Sequence, residues 1–154
     1  MKNLRPIFVI GTHGHHDHIQ SAFKIMDFFS IPLLIHPNDF RRHTMENVKY
    51  IKENDVVDIG SEKLHIIDTP GHTSGCLMLI SYDNQFIFTG DTLLRGKLPR
   101  QLVDFDELMA SLKKIMSYPG ITDNFEIYPG HGKKSTIGEE KQNHEFNEFN
   151  KSKS

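Results

Sequence analysis

Cysteine is almost absent from this 154-residue sequence: Cys76 is the only one. A single thiol forms no internal disulfide. That excludes a disulfide-stapled secreted scaffold and fits a reducing compartment, so a cytoplasmic location is expected. Long apolar runs are missing as well. No stretch approaches the roughly 18 apolar residues of a membrane span, and the first residues carry no signal-peptide core, so no membrane contact is expected. Nor is one sign of charge in excess: 18 Lys and Arg stand against 20 Asp and Glu, a net charge of −2. This balance argues against nucleic acid or another polyanion as partner. Repeats and linkers are lacking too. The expected organisation is one domain over residues 1–146 with its own apolar core, followed by a polar, frayed tail over 147–154.

What the sequence has in plenty is histidine, ten residues in all, and four of these fall in the run His13-Gly14-His15-His16-Asp17-His18. The run follows the apolar stretch Ile7–Ile10, which reads as a short buried strand. A core does not accept so many polar rings without partners for each. Behind it, Ile19, Ala22, Phe23 and Met26 fall at helical spacing. Further strands are expected at Ile31–Ile35, Val56–Ile59, Leu64–Ile67, Cys76–Ser81, Phe86–Phe88 and Phe125–Tyr128. A short helix capped by Asn38 or Asp39 is expected to run to about Asn47. The clearest helix spans Asp104–Tyr118, where Asp104 and Glu107 make a capping box. Thr136 and Glu139 mark the start of a last helix.

Four polar clusters each follow a predicted strand: the histidine run, Thr69-Pro70-Gly71-His72, Thr89-Gly90-Asp91 and Tyr128-Pro129-Gly130-His131. Functional groups collect on loops held by a rigid scaffold. Histidine and carboxylate donors without thiolate suit zinc, with iron and manganese as alternatives. His13, His15, Asp17, His18, His72, Asp91 and His131 make seven donors, whereas one metal takes at most about four from a protein. Seven donors point to two metals sharing one, and a carboxylate such as Asp91 can bridge. Taken singly, the later clusters read equally well as turns; the histidine run does not. His36, His43, His65 and His144 read as surface or strand-face residues, His16 as a residue of the pocket rim, and Cys76 as a small buried hydrophobe. Arg95, Lys97, Arg100, Lys133 and Lys134 lie in loops beside ligands. Arg95 and Arg100 are the candidates for holding a substrate carboxylate, and Lys133 and Lys134 read equally as solvated surface charge.

This ordered set of motifs resembles the metallo-β-lactamase superfamily, and Gly90–Gly96 with Tyr128–His144 are most similar to its glyoxalase II-like branch. The resemblance spans about Ile7 to His144. It implies an α/β fold, an αββα sandwich of two mixed sheets with helices outside and the site at one edge. It also implies His13, His15 and His72 on one metal, Asp17, His18 and His131 on a second, and Asp91 between them. Family members normally carry several strands before the first motif strand, which here begins within ten residues of Met1. The first sheet is therefore expected to lack its first strands, leaving an apolar face and an edge through which copies can associate. The chain also ends too soon after His131 for the helical domain with which glyoxalase II holds glutathione.

The expected activity is metal-dependent hydrolysis of a small anionic acyl ester or thioester by a metal-bound hydroxide, with Asp17 as the catalytic residue that orients the water. Two readings compete with it. One is a mononuclear iron sulfur dioxygenase of the same superfamily, and the other is a truncated, catalytically silent metal-binding fragment.

Overall fold

The computed structural model describes residues 5–40, 46–100 and 102–142. Among these residues nine strands fall into two sheets. In the smaller, β1 (Val9–Ile10), β2 (Leu33–Ile35) and β3 (Val48–Tyr50) run parallel in that order. In the larger, β4 (Val56–Asp58), β5 (Lys63–Asp68), β6 (Leu77–Ser81), β7 (Phe86–Gly90), β8 (Glu126–Pro129) and β9 (Ser135–Thr136) follow chain order. Neighbours in it are antiparallel except the parallel pair β7 and β8. A parallel neighbour needs a crossover, and helix α2 (Phe105–Met116) supplies it. Helix α1 (His16–Phe29) follows β1, and the short α3 (Ile137–Lys141) follows β9.

Burial divides into three sheets of contact that make four layers. Ile19, Ala22 and Met26 of α1 pack on Leu33 and Ile35 of the smaller sheet. Leu34 packs between the sheets against Leu64, Ile66, Leu77 and Leu79. Leu108, Leu112 and Ile115 of α2 cover Ile67, Met78, Ile80, Ile87 and Ile127 on the far face. Strand β6 shows why its run is apolar throughout. Leu77 and Leu79 face the other sheet, Met78 and Ile80 face α2, and every residue of the strand is buried. This is the expected αββα sandwich. No helix among the described residues is long and apolar enough to cross a membrane.

The expected elements recur with small shifts, and the helix starts are as read. Asp104 caps α2 by accepting from the Glu107 N–H, and Thr136 caps α3 by accepting from that of Glu139. Two strands went unread. Strand β3 has three residues and is exposed along most of its length, and β9 has two, so neither offers an apolar run long enough to mark a strand. The helix expected from Asn38 or Asp39 does not begin there: residues 37–39 form a turn, while 41–45 lie outside the described residues. The expected tail, His43 and His144 lie outside them too. The smaller sheet has three strands among the described residues, and Ile7 and Phe88 remain substantially exposed.

Candidate metal centre

All seven expected donors meet at one end of the two sheets, and local structure decides how each arrives. Strand β1 ends at Ile10, and the chain bends at Thr12 and His13 before reaching His15, the extended N-cap of α1. Its Thr12 carbonyl accepts from the Leu77 N–H at 2.8 Å, tying this loop to the start of β6. Asp17 and His18 lie in the first turn of α1, where the helix's free N–H groups favour a carboxylate. The segment after β5 carries His72. It is held from behind, since Ser111 Oγ of α2 donates to the Pro70 carbonyl at 2.8 Å and the Val103 and Asp104 N–H groups donate to that of Gly71. Thr92 Oγ1 donates to the Thr69 carbonyl at 3.2 Å, joining the His72 segment to the Asp91 turn. The Gly130 N–H donates to the Gly90 carbonyl at 2.8 Å, which brings His131 alongside Asp91. A side chain at residue 130 would collide with Asp91 Oδ1 and the His18 ring, so only glycine permits this approach.

The donor atoms form two groups that touch. His72 Nε2 lies 3.0 Å from His15 Nδ1, and His18 Nε2 lies 3.1 Å from His131 Nε2. Asp17 Oδ2 is 3.2 Å from His131 Nε2. Asp91 Oδ2 stands 3.6 Å from His72 Nε2, 3.6 Å from His18 Nε2 and 3.4 Å from His131 Nε2, so it serves both groups. Ligand atoms of His13, His15 and His72 lie within 4.8 Å of one another, as do those of Asp17, His18 and His131. Two nitrogens bound at about 2.0–2.1 Å to one tetrahedral zinc would lie about 3.3 Å apart, close to the 3.0 and 3.1 Å found here. Among the donors, two buried atoms, His13 Nε2 and Asp91 Oδ1, have no hydrogen-bond partner. Burying an unpartnered polar atom is costly, and a cation between the rings removes the cost. The residues present fit a metal.

Titration follows the same division. Burial holds the fully buried His13 far below its ordinary value, at about 3, and the neighbouring His18, His72 and His15 push the same way. A neutral imidazole is the form that binds metal. Partial desolvation raises the Asp17 carboxyl, but its own backbone N–H and the nearby His18, His131 and His13 outweigh that, leaving it below the usual range and ionised.

One residue missed by sequence reading holds the first group together. Asp39 Oδ2 accepts from the Gly14 N–H at 2.8 Å and from Thr73 Oγ1 at 2.5 Å, so one carboxylate ties the His13–His15 loop to the His72 segment. It lies in the turn that follows β2, a loop placed like the motif loops but without a donor pattern of its own. His36 departs from its expected surface placement: it is buried, 3.6 Å from Asp68. His65 lies on the face of β5, edge-on to Tyr82. Cys76 is buried, and burial pushes its thiol up to about 11.

At the donors opens a cleft of about 650 Å³, whose lining includes His16, Asp17, His131, Leu94, Lys97 and Arg100. His16 thus lies at the rim, as expected, and Arg100 faces the same space. Arg95 is not among the lining residues, and its Nη1 donates to the Lys134 carbonyl at 3.3 Å. Lys134 itself pairs with Glu126 at 2.6 Å.

The model of the metallo-beta-lactamase superfamily matches residues 1–131, and the chain belongs to that superfamily. An uncharacterized protein of Mycobacterium tuberculosis is 32% identical over 177 residues, covering 95% of this chain and 76% of its own. Hydroxyacylglutathione hydrolase GloC of Haemophilus influenzae is 28% identical over 157 residues, covering 88% and 73%. The crystal structure of TTHA1623 in a di-iron-bound form superimposes with a TM-score of 0.81 at 25% identity, covering 95% of this chain and 80% of that one.

Proposed function

We propose that this protein is a binuclear metal-dependent hydrolase of small anionic acyl esters or thioesters. The observation that carries the reading is the position of Asp91 Oδ2, within 3.4–3.6 Å of ligand nitrogens from both donor groups. His13, His15 and His72 would hold one ion, Asp17, His18 and His131 the other, and Asp91 both. When bound, such ions supply Lewis acidity toward a carbonyl and acidify water. The chain's own residues do the rest. Asp17, ionised and at the cleft wall, accepts a hydrogen bond from the attacking water and aims its lone pair at the acyl carbon. Arg100 and Lys97 face the cleft and attract a carboxylate on the substrate, Arg100 by two parallel hydrogen bonds. Leu94, Leu98 and Pro99 give an apolar wall that shields the scissile bond from bulk water. The named activity of the Haemophilus influenzae relative supports a thioester of a hydroxyacid. The di-iron form of the structural relative supports two ions and makes iron a candidate beside zinc and manganese.

The test is a metal count together with turnover. Protein purified without chelator should hold close to two ions per chain and hydrolyse a hydroxyacylglutathione, and His18→Ala should reduce the count toward one. A parent holding one iron and consuming oxygen, or a count unmoved by His18→Ala, overturns the binuclear hydrolase.

A further inference from the structure

One buried acidic side chain lies outside the metal centre and bonds the turn that leads to the cleft. Glu140 of α3 is 3% exposed, and its Oε2 accepts from the Gly96 N–H at 3.0 Å. Gly96 sits in the turn Leu94–Lys97, which closes by an isolated antiparallel bridge between its end residues. Its φ of +70° is a conformation that glycine adopts freely. That turn leads into Lys97 and Arg100, the two cations facing the cleft. Leu93 and Leu98 pack against the core on either side of the turn and Leu94 is buried, whereas the tip, residues 95 to 97, is exposed. It is held by the segment after β8, through Glu140 at Gly96 and through the Lys134 carbonyl at Arg95. Helix α3 is in turn fastened to the body, where the Ile137 N–H donates to the Phe125 carbonyl at 3.0 Å and the Gly138 N–H to that of Asp123 at 2.9 Å. A carboxylate is costly to bury, and a charge-assisted bond to a backbone N–H offsets part of that cost.

We propose that Glu140 is a positioning residue for substrate selection: by holding the Gly96 N–H it places the Lys97–Arg100 cations where a substrate carboxylate must lie. The selection part rests on the acyl-hydrolase reading above, whereas the placement of the turn does not. A carboxylate serving only to anchor α3 would affect stability and leave substrate discrimination alone.

Two measurements on the metal-loaded full chain decide between these roles. Amide hydrogen exchange should find Gly96 protected in the parent. Glu140→Ala should speed its exchange at least about tenfold, the equivalent of one hydrogen bond to a charged group, with β6 and β7 unchanged. Glu140→Gln keeps an accepting oxygen and should stay near the parent. In turnover, Glu140→Ala should raise KM about tenfold for a carboxylate-bearing thioester, leaving its kcat and the KM of a neutral thioester near the parent values. Exchange of Gly96 in the parent at the rate of an open chain overturns the proposal, and this needs no variant to fold. So does a KM that rises equally for anionic and neutral substrates. A parent without hydrolase activity overturns the selection part along with the function, while Gly96 protection that still depends on Glu140 supports the placement of the turn.

Discussion

His13, His15 and His72 sit on loops packed beneath Asp39 and α2, whereas Asp17, His18 and His131 sit on a helix turn and an outer loop. The two halves of the centre use the same chemistry on different ground. His13 and His72 are 0% and 5% exposed, while the Asp17 and His131 side chains are 60% and 53% exposed. The inner half is held by a carboxylate that bonds two loops at once. The outer half has no comparable clamp in the contacts of its described residues; its order comes from α1 and from the close approach at Gly130. On the binuclear reading proposed above, burial would separate a held ion from an exchangeable one, and the difference sets the order in which the centre should come apart.

The sharpest break is removal of a ligand from each half. His72→Ala should lose the inner ion and reduce hydrolysis to background. His131→Ala should leave one ion per chain, held by the inner half, in a protein that still folds. Mass spectrometry of the native protein and the turnover of each variant check this, and loss of both ions in His131→Ala would erase the distinction.

Chelation should act in two steps, the outer ion leaving first. An ion bound only to the folded state at a free concentration a hundred times its Kd adds about 2.7 kcal/mol. The second step should therefore lower the melting temperature more than the first, as calorimetry at graded chelator would record. A single step would mean that Asp91 couples the halves more strongly than burial separates them.

Asp39→Ala tests the clamp without touching a ligand. Partners that orient ligands typically matter by about 10–100-fold in metal affinity, and the loss should fall on the inner ion. Asp39→Asn, which keeps one accepting oxygen, should recover part of it. Competition with a chelating dye measures both.

Acid should reach the halves differently in the metal-free chain. His13 stays neutral in the fold down to about 3, while the unfolded chain takes its proton near 6.5. The unfolded state thus binds more protons across that window, so this contribution to stability is complete above pH 6.5 and is lost progressively as pH falls toward 3. Asp17 has a lowered value, so its contribution is present above its ordinary value of 3.8 and disappears only below it. That effect is small because the side chain is exposed. Denaturant melts between pH 7 and 4 should fall with the first group and not the second; stability flat over that range would show that His13 does not stay neutral in the fold.

Much of this molecule was legible before any coordinates. The spacing His13, His15, Asp17, His18 is too dense for ordinary packing, and the strand-end positions of His72, Asp91 and His131 marked them as one set. The capping box at Asp104 and Glu107 located α2 to within a residue or two, because a cap is a local interaction between neighbours in the chain. The apolar run of β6 marked a strand, and the structure adds that it is covered on both faces. What the chain order did not reveal is held by contacts between distant residues. Asp39 joins Gly14 and Thr73, which lie 25 and 34 residues away, and nothing about an aspartate in a turn distinguishes a clamp from a cap. Arg95 and Arg100 look alike in sequence, yet one reaches the Lys134 carbonyl and the other faces the cleft. His36 gives no sign of burial in its neighbours, since the strand end that hides it is buried by the opposite sheet. Residue type and spacing determined which atoms are available as donors. Only the packing of the two sheets decided which donors lie together, which half is sealed from solvent and which cations face the cleft, because these depend on distances across the sandwich that no local pattern encodes.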